Sequence, residues 1–160
     1  MTNGYKILLL IIISVILATG CTKKKTESNI VILDNNVPIE YSSEMAIENG
    51  DVVSLQDSMY NGEVLNRFIE NLNNNNKDSI RVTKYNADGD PVIVLLYFNG
   101  EYIEYHKDNT REKNVVRGIK SSRYTSIKKR EVVVDDEAMT EVILVAGDNE
   151  DVLFVYSDIE

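Results

Sequence analysis

Apolar and polar positions in this 160-residue chain change rhythm three times. The first stretch, Ile7–Ala18, is an apolar run of twelve interrupted only by Ser14. A helix needs roughly 20 apolar residues to cross the hydrocarbon core, so this run is too short to span it. Its length fits the core of a signal peptide, with Lys6 and the amino terminus as the positive charges ahead of it. From Thr22 to about Ser43 the chain turns polar, with one apolar island at Ile30–Leu33, and reads as a tether.

A period of 3.6 residues then takes over. The segment Ser43–Asn49 predicts one or two helical turns, with Ser42 or Ser43 as cap and Gly50 as the stop. Asp51–Val53 follows as a short strand. Val64, Leu65, Phe68, Ile69 and Leu72 fall on one face of a longer helix. Asn61 is its expected cap, and Asn73–Asn76 ends it, because asparagine prefers caps and turns to helix interiors. Such a stripe serves either a partner or the sheet it covers, and the second use is the commoner.

After Asp78 the period drops to two. "SIRVTKY" alternates, "PVIVLLYF" is continuously apolar and "EYIEYH" alternates again. Asn99-Gly100 marks a tight hairpin, so the second and third of these strands should be antiparallel neighbours. Asn86–Pro91 turns the chain between the first and second. Further strands are expected near Ile119–Lys128, Glu131–Val134, Glu141–Ala146 and Val152–Tyr156. The pattern predicts an α+β domain: an antiparallel β-sheet meander of five to seven strands with one main amphipathic helix packed on one face. The length suits one such domain rather than two.

Charge sharpens this picture. The formal net charge is −9, which argues against a nucleic-acid partner, since that needs a basic footprint. Arg111–Arg130 holds eight basic residues and one acid, whereas 131–160 holds ten acids and no base. The first block is either a docking patch for an anionic partner or membrane surface, or one half of a ladder of cross-strand pairs. Because the blocks are adjacent and both strand-like, pairing is the favoured reading.

Leu17-Ala18-Thr19-Gly20-Cys21 resembles the lipobox of bacterial lipoproteins, although leucine is usual where Ala18 stands. The resemblance implies cleavage between Gly20 and Cys21 and a diacylglyceryl group on the Cys21 thiol. Two acyl chains anchor stably where one holds only marginally, and Lys23, Lys24 and Lys25 would sit beside anionic headgroups. Cys21 is the only cysteine, so an intramolecular disulfide is impossible. The expected organisation is a signal peptide over 1–20, a lipidated tether over 21–42 and one domain over 43–160. The expected location is the extracytoplasmic face of the cell membrane.

Candidate chemistry is sparse. His106 is the only histidine and is expected at a strand edge. Asn86-Ala87-Asp88-Gly89-Asp90 opens like a calcium loop. It then has Pro91 where the sixth-position glycine belongs and Tyr97 where the twelfth-position acid belongs. A looser ion or ligand site built from Asp88, Asp90 and Asp108 stays open, beside the simpler reading of a turn that starts a strand. Tyr97, Tyr102 and Tyr105 suit a half-exposed sheet or a binding surface equally. No cofactor is implied.

"AIENGDVV", "LNRFIENL" and "DSIRVTKYNADGDPVIVLLYFNGEYIEYHKDNTRE" together resemble a domain of unknown function found in small lipoproteins of Gram-positive bacteria. The resemblance is clear from Ser43 to Glu112 and looser beyond. It implies a lipid-anchored extracytoplasmic domain without an established activity. Relatives often carry Glu where Asp88 stands, and many carry a His-Gly pair near Gln56-Asp57 and a cysteine pair in the last third; the last two features are absent here. The expected function is a non-enzymatic binding or accessory module of the cell envelope, its partner an unknown envelope protein or small ligand. The alternatives are an envelope enzyme with a site around His106, Asp108 and Asp90, or a small-ligand or ion carrier.

Overall fold

The computed structural model describes residues 37–157. The expected signal segment, Cys21 and most of the tether therefore lie outside the described residues. Helix α1 (Ser43–Glu48) begins where the Ser42 side chain accepts a hydrogen bond from the Met45 amide at 3.3 Å. It ends at Asn49, and Gly50 follows with φ +77°, a conformation glycine adopts without strain. Strands β1 (Val52–Leu55) and β2 (Ser58–Tyr60) form a short antiparallel hairpin. Helix α2 (Gly62–Asn73) then crosses over. Leu65 and Phe68 are fully buried, and Val64, Ile69 and Leu72 pack partly buried beside them, as the period requires.

Asn61 occupies the cap position of α2 but does not cap it with its side chain. Its backbone lies in the left-handed region (φ 55°), which asparagine tolerates better than most residues. The side-chain amide instead donates to the carbonyls of Ile47 (2.9 Å) and Asp51 (2.8 Å), tying the end of α1 to the start of β1.

Strands β3 (Asp78–Tyr85), β4 (Pro91–Phe98), β5 (Ile103–Asp108) and β6 (Ile119–Tyr124) complete a six-stranded sheet in the order β2-β1-β3-β4-β5-β6. The β4–β5 hairpin forms as expected, with the Asn99 side chain accepting from the Glu101 and Tyr102 amides. All pairings in this sheet are antiparallel except β1 with β3, which run parallel because α2 carries the chain back over the sheet. The chain leaves this sheet at Thr125, whose amide donates to the Val145 carbonyl at 2.7 Å. Strands β7 (Ser126–Val134), β8 (Glu137–Ala146) and β9 (Asn149–Tyr156) form a separate antiparallel sheet. The α+β architecture is thus as expected, with nine strands among the described residues divided between two sheets. The expected strand Ile119–Lys128 is two strands in different sheets.

Both faces of the larger sheet are covered, which explains the unbroken apolar run of β4. On the first face, α2 and the smaller sheet bury Val52, Ile80, Val82, Val94, Leu96 and Ile103. On the second face, a smaller cluster joins Val53 and Ile93 to Val37, Tyr41 and Ala46. Two members of the basic block, Lys128 and Arg130, pair with the acidic block across the smaller sheet, whereas Arg111 and Lys113 meet Asp108 and Asp90 outside it. Arg130 meets Glu141, its register partner, at 2.7 Å and Glu150 at 3.0 Å, while Lys128 also pairs with Glu150.

The tyrosines set an alkaline limit. Burial raises Tyr105, and burial together with the hydrogen bond to Asp151 pushes Tyr124 up to about 12. Unfolded tyrosines release their protons near pH 10, so between about pH 10 and 12 the unfolded chain binds fewer protons than the folded one. Stability should therefore be full below pH 10 and fall as pH rises towards 12. Urea midpoints measured at pH 8, 10 and 11.5 check this; a midpoint unchanged through pH 11.5 would contradict it.

Candidate functional site

A cleft of about 580 Å³ opens on the second face of the larger sheet. It is lined by Ile39, Glu40, Tyr41, Ser42 and Met45, by Gly89, Asp90 and Pro91, and by Arg111 and Lys113. One wall is the strap 37–42, which enters the domain immediately before α1. The others are the 86–91 turn and the 109–118 loop that links β5 to β6.

The turn is built by Asn86, whose side-chain oxygen accepts from the amides of Asp88 (3.0 Å) and Asp90 (2.9 Å). This aims the Asp90 carboxylate inward, where it accepts from both the Lys113 amide (3.0 Å) and the Lys113 ammonium (2.9 Å). Those hydrogen bonds hold Asp90 below the usual carboxylate range. Asp88 stays on the outer side of the turn and accepts from Asn114 at 3.3 Å. Across the cleft, Asp108 accepts from the Thr110 amide and hydroxyl through one oxygen and from Arg111 Nη1 at 2.7 Å through the other. Burial pushes Asp108 up, but the Thr110 and Arg111 hydrogen bonds outweigh it and leave its pKa lowered.

Arg111 connects this loop to the strap. Its Nε donates to the Pro38 carbonyl at 3.0 Å and its Nη2 to the Val37 carbonyl at 2.9 Å. Beneath the strap lies a polar network on the central strands. The Asp51 carboxylate, buried at the foot of β1, accepts from Tyr41 Oη (2.9 Å), Thr83 Oγ1 (2.6 Å) and Arg81 Nε (2.6 Å). Tyr41 Oη also accepts from Asn49 and Arg81, and the Tyr85 hydroxyl donates to the Tyr41 carbonyl. Burial raises the Tyr41 pKa. Burial lowers that of Arg81, but the charge of Asp51 and its hydrogen bond more than reverse this. Nothing in the chain order announces this network. Its one signal is the alternation of "IRVT", which places Arg81 and Thr83 on the same inward side of β3.

The structure therefore brings Asp90 and, through Arg111, Asp108 to one cleft, with Asp88 just outside it. His106 is not at an edge: it lies on β5, an internal strand, because β6 adds beyond it. Its Nδ1 is 2.9 Å from Ser121 Oγ, and its Nε2 is 3.7 Å from Glu104. It shares a sheet face with Asp108 but does not line the cleft. Among the described residues, no group of three or more His, Cys, Asp or Glu side chains is placed to share a metal ion. The ammonium of Lys113 and the guanidinium of Arg111 already neutralise Asp90 and Asp108. Open to an incoming partner are Ile39 (85% exposed), Met45 (41% exposed) and the outer part of Lys113.

The fold and the cleft define an α+β domain whose second sheet face is closed by an N-terminal strap held by arginine. The chain belongs to the family described as a domain of unknown function (DUF4362), which matches residues 49–137. The match takes in the larger sheet from β1 onward, the 86–91 turn and the 109–118 loop, and leaves the strap outside it. No curated protein and no solved structure matches the chain.

Proposed function

We propose that the protein is a lipid-anchored lipoprotein of the extracytoplasmic membrane face, and that its domain is a non-enzymatic binding or accessory module of the cell envelope. The observation that carries the binding reading is the cleft, where exposed Ile39 and Met45 lie beside the exposed part of Lys113. Apolar side chains rimmed by charge suit a peptide or protein partner. Asp90 and Asp108 favour binding over proton transfer, because both are held well below the pH at which a general acid or base works. The anchoring reading rests on the Leu17–Cys21 sequence, the short apolar run before it and the three lysines after it. In sequence, the strap 37–42 is the end of the same expected tether.

Cys21→Ala is expected to shift most of the protein from the membrane fraction to the soluble fraction of fractionated cells. Retention at the parental level would remove the anchor from this reading. A photo-crosslinking residue at position 39 should capture an envelope protein in intact cells.

A further inference from the structure

Three lysines gather on the first face of the larger sheet, where its apolar cover gives out. Lys84 on β3 has the parity of the core residues Ile80 and Val82; Lys107 on β5 has that of Ile103 and Tyr105; Lys120 on β6 has that of Tyr124. Lys107 and Lys120 are register partners, which places their β carbons about 4.5–5.5 Å apart. Like charges in that relation destabilise a ladder. Lys84 reaches under β9, where its ammonium donates to the Leu153 carbonyl at 2.8 Å. Burial, and then the positive charge of Lys107, lower its pKa, while Glu112 acts in the opposite direction.

Among the described residues, several cations elsewhere on the surface are paired with acids, while Lys77, Arg117, Arg123 and Lys129 are not. Arg67, Arg111, Lys113, Lys128 and Arg130 each meet a carboxylate. Among the described residues, Lys84, Lys107 and Lys120 form no ion pair, although the chain carries 26 acidic side chains. Asp151, whose charge reaches the same face at Tyr105 and Tyr124, accepts from the Tyr124 hydroxyl at 2.6 Å.

We propose that Lys84, Lys107 and Lys120 form an anion site that takes a phosphate group, either free or on a phospholipid head. Phosphate with a free second ionisation carries about −1.5 to −2 charges near pH 7, whereas the phosphodiester of a phospholipid head carries about one negative charge and presents two free acceptor oxygens. Two or three ammonium groups neutralise either charge, and lysine binds phosphate as a compact point charge with rotatable donors. Ser122, on the same side of β6 as Lys120, adds a hydroxyl next to the cluster. A bound phosphate would turn the repulsion between Lys107 and Lys120 into shared attraction. This site is separate from the strap-walled cleft and does not depend on the lipoprotein reading.

The test uses the full chain in neutral detergent micelles. Inorganic phosphate is titrated against chloride at constant ionic strength, and in a second arm phosphatidylglycerol is added to the micelles. The melting temperature should rise by about 5 °C or more at a hundredfold excess over the dissociation constant. Lys107→Gln/Lys120→Gln should abolish the rise while melting no lower than the parent without phosphate, since it removes a repulsion. A rise with inorganic phosphate assigns a soluble phosphate, and a rise with phosphatidylglycerol alone assigns a lipid headgroup. No rise in either arm, or an equal rise in the double variant, overturns the proposal.

Discussion

Asp51→Ala should lower the stability of the domain by about 3–5 kcal/mol, the scale of removing one partner from a buried ion pair. The Asp51 carboxylate is the common acceptor for Tyr41, Thr83 and Arg81. Without it, the Arg81 guanidinium keeps its charge in a site where only about a fifth of its side chain is exposed. Two hydroxyls lose their acceptor at the same time, and a buried polar group left unpaired costs more than an average hydrogen bond contributes. Asp51→Asn keeps the shape and one acceptor oxygen, so its loss should be smaller. Urea unfolding of both variants at pH 7 decides the matter. Equal midpoints for Asp51→Ala and the parent would show that the network is not the keystone described above.

Phe68→Ala should be about as damaging, at about 3–5 kcal/mol, through a different mechanism. Phe68 is the largest fully buried side chain and stands between α2 and the first face of the larger sheet. Truncation removes its transfer free energy and leaves a cavity that α2 can close only incompletely, because Leu65 is also fully buried and packs in the same cluster. The two variants should differ slightly in salt response. Added salt screens the partly exposed charge left by Asp51→Ala only to a small extent, and it does nothing for a cavity. Unfolding curves at low and high salt register that small difference, and a Phe68→Ala loss below about 1 kcal/mol would mean that α2 is not fixed by its apolar stripe.

Local features of this fold are legible in the sequence because they depend on period and turn chemistry. The stripe Val64–Leu72, the alternation of "SIRVTKY", the Asn99-Gly100 hairpin and the Ser42 cap all belong to single elements or the turns beside them. What escapes the sequence depends on contacts between distant residues. The strand break at Thr125 is made by a hydrogen bond to Val145, and the parallel pairing of β1 with β3 follows from where α2 returns the chain. The position of Asn61 suggests a cap, but the carbonyls it serves lie on α1 and at the start of β1. In the cleft, Asp90 and Asp108 are visible as acids near turns. Their partners Lys113 and Arg111 lie on a loop 23 residues beyond the first and three beyond the second, and only folding shows which acid each one meets. The pairing of Arg130 with Glu141 is readable because adjacent strands joined by a short turn leave few other registers.

The strap has a mechanical consequence. Within the described residues, a pull applied at Val37 meets two Arg111 hydrogen bonds first and the buried Tyr41 ring next, before it loads a single strand. These attachments lie in sequence along the strap, so they would give way in succession, like a zip, while the ladders of the larger sheet stay whole. The cleft wall is thus the first part of the described domain in that line of force, and tension applied at Val37 would open the cleft before it reaches the larger sheet.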